Sequence, residues 1–402
     1  MMAMQDSIIG EIPADWKCAT IGSAYEICNQ NRLPISRERR RDKSGQYPYY
    51  GPTGVLDYIN EYRFDGTFAL IGEDGDNFLK FATHPMTLLA SGRFNVNNHA
   101  HVIGSDGVNL VEWFQQYFEH RDITTHLTRQ GASRYKLTKA ALLDLPLALP
   151  GQPEQQAIVN ALSDISGLLK SLDRALAKKQ AIKQGLMREL LEGRMRLPGF
   201  SEKWSEKKIS ELSTVNPESL ASGTSPRRKV DYISLEDVRR GDIFGATQME
   251  FKDAPSRARR VIRSHDILFG TVRPNLQSHA LYRGNWKHPI ASTGFAIVRT
   301  GSSSDPGFLF QLLMSHLADV QISRIIAGSN YPAVSSADVC RLTFMVPSLE
   351  EQQAIGAVLS DFDKELSLLK RRSVKAVAMK QGMMQALLSG RTRLPVQGEG
   401  SE

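Results

Sequence analysis

Three cysteines in 402 residues, Cys18, Cys28 and Cys340, are odd in number and lack metal-type spacing. That excludes a disulfide framework and a zinc site, and it reads as free thiols in a reducing, cytoplasmic setting. No stretch reaches the roughly 20 apolar residues that a membrane span needs. The opening MMAMQDSIIGEIP has no charged segment followed by an apolar one, so no signal peptide is expected. Catalytic signatures are absent as well. There is no Gly-x-x-x-x-Gly-Lys-[Ser/Thr] phosphate loop. Asn216-Pro-Glu-Ser only grazes the Asn-Pro-Pro-aromatic motif of amino-methylating enzymes, without the second proline or the stacking aromatic. Gly72-Glu-Asp-Gly-Asp-Asn clusters carboxylates but lacks calcium-loop spacing and reads as a tight turn. His99 and His101 stand at strand spacing with no further ligands in sight, so no metal is expected. No serine, histidine and aspartate set announces itself. The expectation is a chain without catalytic residues or a cofactor of its own.

What the sequence does have is an internal repeat. Leu149–Pro198 and Val346–Pro395 align without a gap, and about half the positions are identical, far beyond chance for so long a match. PEQQAI at Pro153–Ile158 returns as EEQQAI at Glu350–Ile355, and GRMRLP at Gly193–Pro198 returns as GRTRLP at Gly390–Pro395. Upstream, Thr138/Ser335, Leu145/Leu342 and Pro150/Pro347 keep the same offset, while Trp16 and Ile21 resemble Trp204 and Ile209 at a different one. Between these anchors Cys28–Arg129 and Pro217–Ile326 show no obvious similarity. The order is variable, constant, variable, constant. Residues 1–150 and 199–347 form two domains, 151–198 and 348–395 two equivalent linkers, and 396–402 a tail.

The constant segments predict long helices. Ile158, Leu162, Ile165, Leu169, Leu172 and Leu176 recur in steps of four and three, and Ile355, Leu359, Phe362, Leu366 and Leu369 repeat the pattern. No proline interrupts Glu154–Arg196 or Glu350–Arg393; Pro150 and Pro347 stand before the starts, Gly193 and Gly390 near the ends. Such seams need a partner, and the other copy in the same chain is the nearest one. An antiparallel coiled coil is preferred, since it relates the two variable domains by a pseudo-two-fold axis. Two unconnected core helices are the competing reading.

The variable regions mix strand-like and helix-like segments. Gly66–Gly72, His101–Ile103, Asp231–Ser234, Asp266–Gly270 and Gly294–Arg299 read as strands; Asn109–His120 and Phe308–Leu317 read as helices. Each region is thus an α/β (α+β) domain. The chain carries a net charge of +7. Arg37, Arg39, Arg40, Arg41 and Lys43 cluster in the first region; Arg227, Arg228 and Lys229, then Arg257, Arg259, Arg260 and Arg263, cluster in the second. Two basic domains on a symmetric frame make nucleic acid the leading partner.

Two variable domains, each followed by a long helix introduced by Pro-x-x-x-Glu-Gln-Gln, closely resemble the specificity subunit of type I restriction–modification systems. Pro150–Ile158, Pro347–Ile355 and the Gly-Arg-x-Arg-Leu-Pro helix ends are the most specific marks. Tyr49–Tyr58, Ile71–Gly75, Asn97–His101, Pro255–Arg260, Asp266–Gly270 and Thr271–Leu276 look like motifs common in target-recognition domains of that family. The resemblance implies double-stranded DNA as ligand, with one half of a bipartite, asymmetric sequence read by each domain. It implies helices that set the half-site spacing, so that deleting a heptad from Glu154–Leu191 changes the spacer. It also implies two methyltransferase subunits with S-adenosylmethionine, two motor–nuclease subunits with ATP and Mg, and no membrane.

Candidate DNA-binding residues are Arg37, Arg39, Arg40, Tyr49, Tyr50, Arg134 and Tyr135 in the first domain. In the second they are Arg257, Arg259, Arg273, Asn275, Asn330 and Tyr331. Arginine serves phosphate or guanine, and the tyrosines and asparagines are equally suited to core or turn positions. A coiled-coil adaptor with two peptide-binding domains, and a single-chain restriction enzyme, are the alternatives.

Overall fold

The computed structural model describes residues 4–130, 134–326 and 332–395. The chain divides into two compact units, one formed by Met1–Leu172 with Arg372–Glu402 and the other by Asp173–Arg371. These bounds cut across the domain limits expected from the sequence. Each unit holds one variable domain, the start of the long helix that follows it and the end of the other long helix.

In the first unit, six strands form one sheet: β1 (Tyr25–Ile27), β2 (Ser44–Gly51), β3 (Gly54–Ile59), β4 (Phe64–Gly72), β5 (Thr87–Val96) and β6 (Ala100–Ser105), in the order β1-β6-β4-β5-β2-β3. All neighbours are antiparallel except β2 and β5, which are parallel. Helix α1 (Val111–Phe118) buries Trp113, Phe114, Tyr117 and Phe118 in the core. Helix α2 (Gln152–Leu191) follows. It begins two residues before the expected Glu154 and stops short of Arg196.

The second unit has two four-stranded sheets. Strands β7 (Ser213–Val215), β8 (Lys229–Ile233), β9 (Thr247–Glu250), β10 (Ala258–Val261), β11 (Ile267–Gly270), β12 (His279–Leu281), β13 (Pro289–Ser292) and β14 (Phe295–Thr300) pair in the orders β7-β14-β11-β12 and β9-β8-β13-β10. Helix α3 (Pro306–Leu313) occupies the place of α1, and α4 (Leu349–Leu387) is the second long helix.

The inner four strands of the two domains match in register, although their sequences do not. Tyr25 faces Ser105 and Ile27 faces Ile103 in one; Ser213 faces Thr300 and Val215 faces Val298 in the other. Ala69 opposes Ile103 and Gly72 opposes Ala100, as Ile267 opposes Val298 and Gly270 opposes Phe295. Ile71 pairs with Thr87 as Phe269 pairs with His279. Beyond this shared block the domains part. In the first, β4 and β5 run on from Phe68 back to Phe64 and from Ala90 to Val96. In the second they end, and the remaining strands form a separate sheet.

The repeated motif is the joint between domain and rod. Glu154, buried at the start of α2, accepts from the Trp16 indole N–H at 3.0 Å and is held by Arg393, from the end of the other copy. In the second unit Glu351, buried at the start of α4, accepts from Trp204 at 3.1 Å and from Arg196 at 2.6 Å. Arg196 and Arg393 are repeat equivalents, so each copy's end grips the other copy's start. Gln155 and Gln352 do the second half of the job. The Gln155 amide oxygen accepts from Leu110 N at 3.0 Å, one residue before α1, and the Gln352 oxygen accepts from Asp305 N at 3.1 Å, one residue before α3. Their amide groups donate to Pro150 O and Pro347 O, each at 3.0 Å. Both rods end in the same way. Gly193 (φ 68°) and Gly390 (φ 70°) take the left-handed conformation that closes a helix, and Met195 N donates to Glu189 O as Thr392 N donates to Ala386 O, each at 3.1 Å.

The helices run antiparallel within each unit. Ile158 and Leu162 from the start of α2 share the first core with Met384 and Leu387 from the end of α4. Leu190 and Leu191 share the second core with Ile355 and Leu359. Lys183 donates to Asp363 at 2.6 Å and Lys179 pairs with Glu365, which fixes the opposed direction directly. The first seam positions of each rod are therefore consumed by domain cores rather than by a free-standing coiled coil. At about 1.5–3 kcal/mol per fully buried aliphatic side chain, these four positions bind rod to domain tightly.

Candidate nucleic-acid interface

An arginine can serve an outside ligand only with the hydrogen-bonding edge that the fold leaves over. Several of the basic residues have little of it. Arg40 sends Nε to Asp57 at 3.2 Å and Nη1 to Ile35 O at 2.8 Å, and lies over the Tyr49 ring at 5.1 Å. Tyr49 is fully buried; its hydroxyl donates to Leu33 O at 2.8 Å and accepts from Ile35 N at 3.0 Å. Both were expected at a DNA surface and both belong to the packing of domain 1; a ring with no exposed surface has no access to DNA. Tyr50 is half-buried against Phe94, edge to face at 5.5 Å. Tyr135 is half-buried against the core and accepts from Arg129 at 3.0 Å. Arg37 and Arg39 stand exposed on a short helix, Arg37–Asp42, capped by Ser36. The Arg134 side chain, Asn330 and Tyr331 lie outside the described residues.

In domain 2, Arg257 is exposed and donates Nε to the Tyr232 hydroxyl at 3.2 Å. Arg259 donates Nε to Ser256 O at 3.0 Å and lies over Phe251 at 4.8 Å. Arg273 and Asn275 are exposed on a one-turn helix, Pro274–Leu276, with Arg273 itself left-handed at φ 48°. That turn is tied down by Arg273 N to Pro332 O at 2.8 Å and by Thr271 Oγ1 to Gly294 O at 2.8 Å. Arg299 is spent. It chelates Asp266 with two bonds of 2.7 Å and reaches Glu218 at 2.6 Å. The bonds to Asp266, then those to Glu218, hold its guanidinium pKa above the ordinary value despite the opposing cost of burial. Asp266 of the Asp-Ile-Leu-Phe-Gly run is thus an anchor of the inner sheet.

The motifs that hinted at chemistry turn out to hold loops. Glu73 pairs with Arg32 at 2.7 Å and Lys136 at 3.3 Å; burial pushes its pKa up, and those cations outweigh that and hold it below the usual carboxylate value. Buried His101 accepts at Nδ1 from Asn29, whose own oxygen is taken by Val102 N, and so donates Nε2 to Leu137 O at 2.8 Å. Burial lowers its pKa, so the ring is neutral. His99 bonds Asp74 at 2.8 Å. Asn216 spends its amide on Ile297 N at 2.9 Å and Ser336 Oγ at 2.7 Å.

One exposed group escaped the sequence reading. Arg93 and Asp65 face each other across β4 and β5, with Nε to carboxylate at 3.0 Å. Arg93 also lies over Tyr62 at 4.8 Å, and Tyr62 leans on Tyr47 at 4.9 Å. No local signal marks these residues, because the pairing joins positions 28 apart in the chain and depends on strand register.

The family model of the type I restriction modification DNA specificity domain matches residues 13–184 and again 201–376. A type I restriction enzyme specificity subunit from Methanocaldococcus jannaschii is 23% identical over 95% of this chain and 94% of its own length. A putative specificity subunit from Haemophilus influenzae is 32% identical over 38% of each chain. Among solved structures, the type I restriction–modification S subunit from M. genitalium superposes with a TM-score of 0.67 at 14% identity, covering 92% of this chain and 96% of that one.

Proposed function

The chain belongs to the family of type I restriction–modification specificity subunits, and on that premise we propose that it is the non-catalytic, DNA-reading component of such a complex, working in the cytoplasm. Each domain reads one half of a bipartite duplex target, and the two halves differ in sequence. The observation that carries this reading is the contrast between a register-matched inner sheet and unrelated outer strands. The common part places each domain in the same way on its rod; the unlike parts confront DNA with unlike surfaces. Exposed Arg37, Arg39, Arg257 and Arg273 supply phosphate or base contacts. Two methyltransferase subunits dock on the two equivalent joints and bring S-adenosylmethionine, and two motor–nuclease subunits bring ATP and Mg. The antiparallel rods set the distance between half-sites.

Sequencing methylated sites in cells with and without this gene tests the assignment. A bipartite, non-palindromic methylated motif that appears only with the gene is the expected result. A heptad removed from each of α2 and α4 should change the spacer and leave both half-sites as they were. Altered bases at unchanged spacing would reverse the roles of rod and domain. An adaptor with two peptide-binding domains would instead show no salt-dependent DNA affinity.

A further inference from the structure

We propose that Arg93 is a specificity-determining residue of domain 1 that reads one guanine of its half-site through the O6 and N7 edge. The inference rests on the DNA-reading function above. Its first ground is position. Arg93 lies on the stretch of β4 and β5 that continues past the block shared with domain 2. Two domains that choose different bases on one frame must choose them with what they do not share.

The second ground is geometry. A carboxylate that takes Nε leaves both terminal nitrogens of the guanidinium as a free fork, which is the edge that grips guanine O6 and N7 in the major groove. Asp65 takes Nε of Arg93, and the Tyr47 hydroxyl is the one other hydrogen-bonding side chain beside the guanidinium among the described residues, which leaves most of the terminal fork open. Arg299, by contrast, spends both terminal nitrogens inside its domain, and Arg32 and Arg40 each spend Nε and one terminal nitrogen. The Tyr62 and Tyr47 stack holds the guanidinium from one side, so little rotamer freedom remains to be lost on binding. As a stabilising ion pair it has little reason to exist. Arg93 is 53% exposed and Asp65 57% exposed, a setting in which such pairs contribute almost nothing.

The third ground is access. The next pair on the same face, Thr67 opposite Ser91, carries only short, exposed hydroxyl side chains, so a duplex edge can approach the fork. Domain 2 repeats the device in its own outer sheet. Arg257 gives Nε to the Tyr232 hydroxyl and keeps its fork free beside β10.

The test is the methylation motif of the full-length chain expressed with its methyltransferase partner. Arg93→Ala should keep the spacer and the other half-site, and relax one guanine position of one half-site by about tenfold to a hundredfold. Arg93→Gln should move the preference at that position toward adenine. Asp65→Asn should blur the same position more weakly. An unchanged motif with uniformly lower methylation would make Arg93 a phosphate contact and overturn the proposal. So would loss of all methylation in both Arg93 variants, since an exposed rim residue that is needed for folding is not a reader. A wild-type chain that directs no bipartite methylation would fail the function itself, not the role of Arg93.

Discussion

Domain 1 carries its inner sheet outward as one continuous surface, with two long strands and an added hairpin; domain 2 stops the same sheet early and builds a second one beside it. Below that line of divergence the two agree in strand register and in their joints, down to a tryptophan indole on a buried glutamate. The difference teaches where each kind of constraint acts. Interchangeable chemistry governs how a domain is seated, and unlike chemistry governs what it meets. Four predictions follow the same line, from the joints outward.

The joints should be the costliest places to damage. Glu351→Ala leaves the Trp204 N–H and the Arg196 guanidinium without a partner, and Glu154→Ala does the same to Trp16 and Arg393. Each should remove about 3 kcal/mol from its own unit, read as faster hydrogen exchange confined to that unit. A large effect in one and none in the other would end the equivalence of the two joints.

Acid should then separate the inner sheets. His279 sits where domain 1 has Thr87, accepts from Gly270 N at 2.9 Å, and stacks on Phe269; burial lowers its pKa to about 3. Its folded value is depressed, so the unfolded chain takes up the proton first. Stability is intact above the unfolded value near 6.5 and falls as the pH drops below it. Between pH 6.5 and 5 the loss for one such group is roughly 2 kcal/mol. Denaturant unfolding of the second unit should show that slope, and His279→Thr, which imports the domain 1 residue, should abolish it.

The rods should show a smaller asymmetry. Lys183 pairs with Asp363 on the opposite rod, while its repeat equivalent Lys380 pairs with Glu119 just after α1. Double-mutant cycles should give each pair about 1 kcal/mol or less, with the Lys183 cycle coupling rod to rod and the Lys380 cycle coupling rod to domain. The mildest change is Arg37→Ala on the exposed helix. It should lower DNA affinity evenly across sequences and reduce the salt slope by about one.

Much of this frame could be read from the chain alone, and the reason is locality. Heptads at Ile158 and Ile355, helix-ending glycines and the strand-like run at Asp266–Gly270 announce themselves within a few residues. Thr138 and Ser335, noticed only as repeat partners, prove to cap equivalent short helices, accepting from Ala141 N and Asp338 N. The candidate interface was less legible, because exposure is a property of register and packing. Tyr49 and Tyr50 are neighbours, yet the pleat sends the first into the core and leaves the second half out. Arg40 follows Arg39 on one helix and turns inward to Asp57. Arg93 and Asp65 come together only once two strands have chosen their alignment. The match between the inner sheets was hidden for a related cause: backbone pairing conserves positions while leaving side chains free to differ.

The glutamine grip shows how such freedom is kept. Gln155 and Gln352 each hold a main-chain N–H, and the residues that offer it are a leucine in one domain and an aspartate in the other. That contact recognises backbone and is blind to the side chain that follows it, even though Gln155 also donates to the Asn109 side chain at 2.9 Å. Any reader that brings the tryptophan, the four inner strands and one helix start in the right place can be plugged in. Target preference can therefore change by wholesale exchange of modules, while the rest of the machine goes on fitting without adjustment.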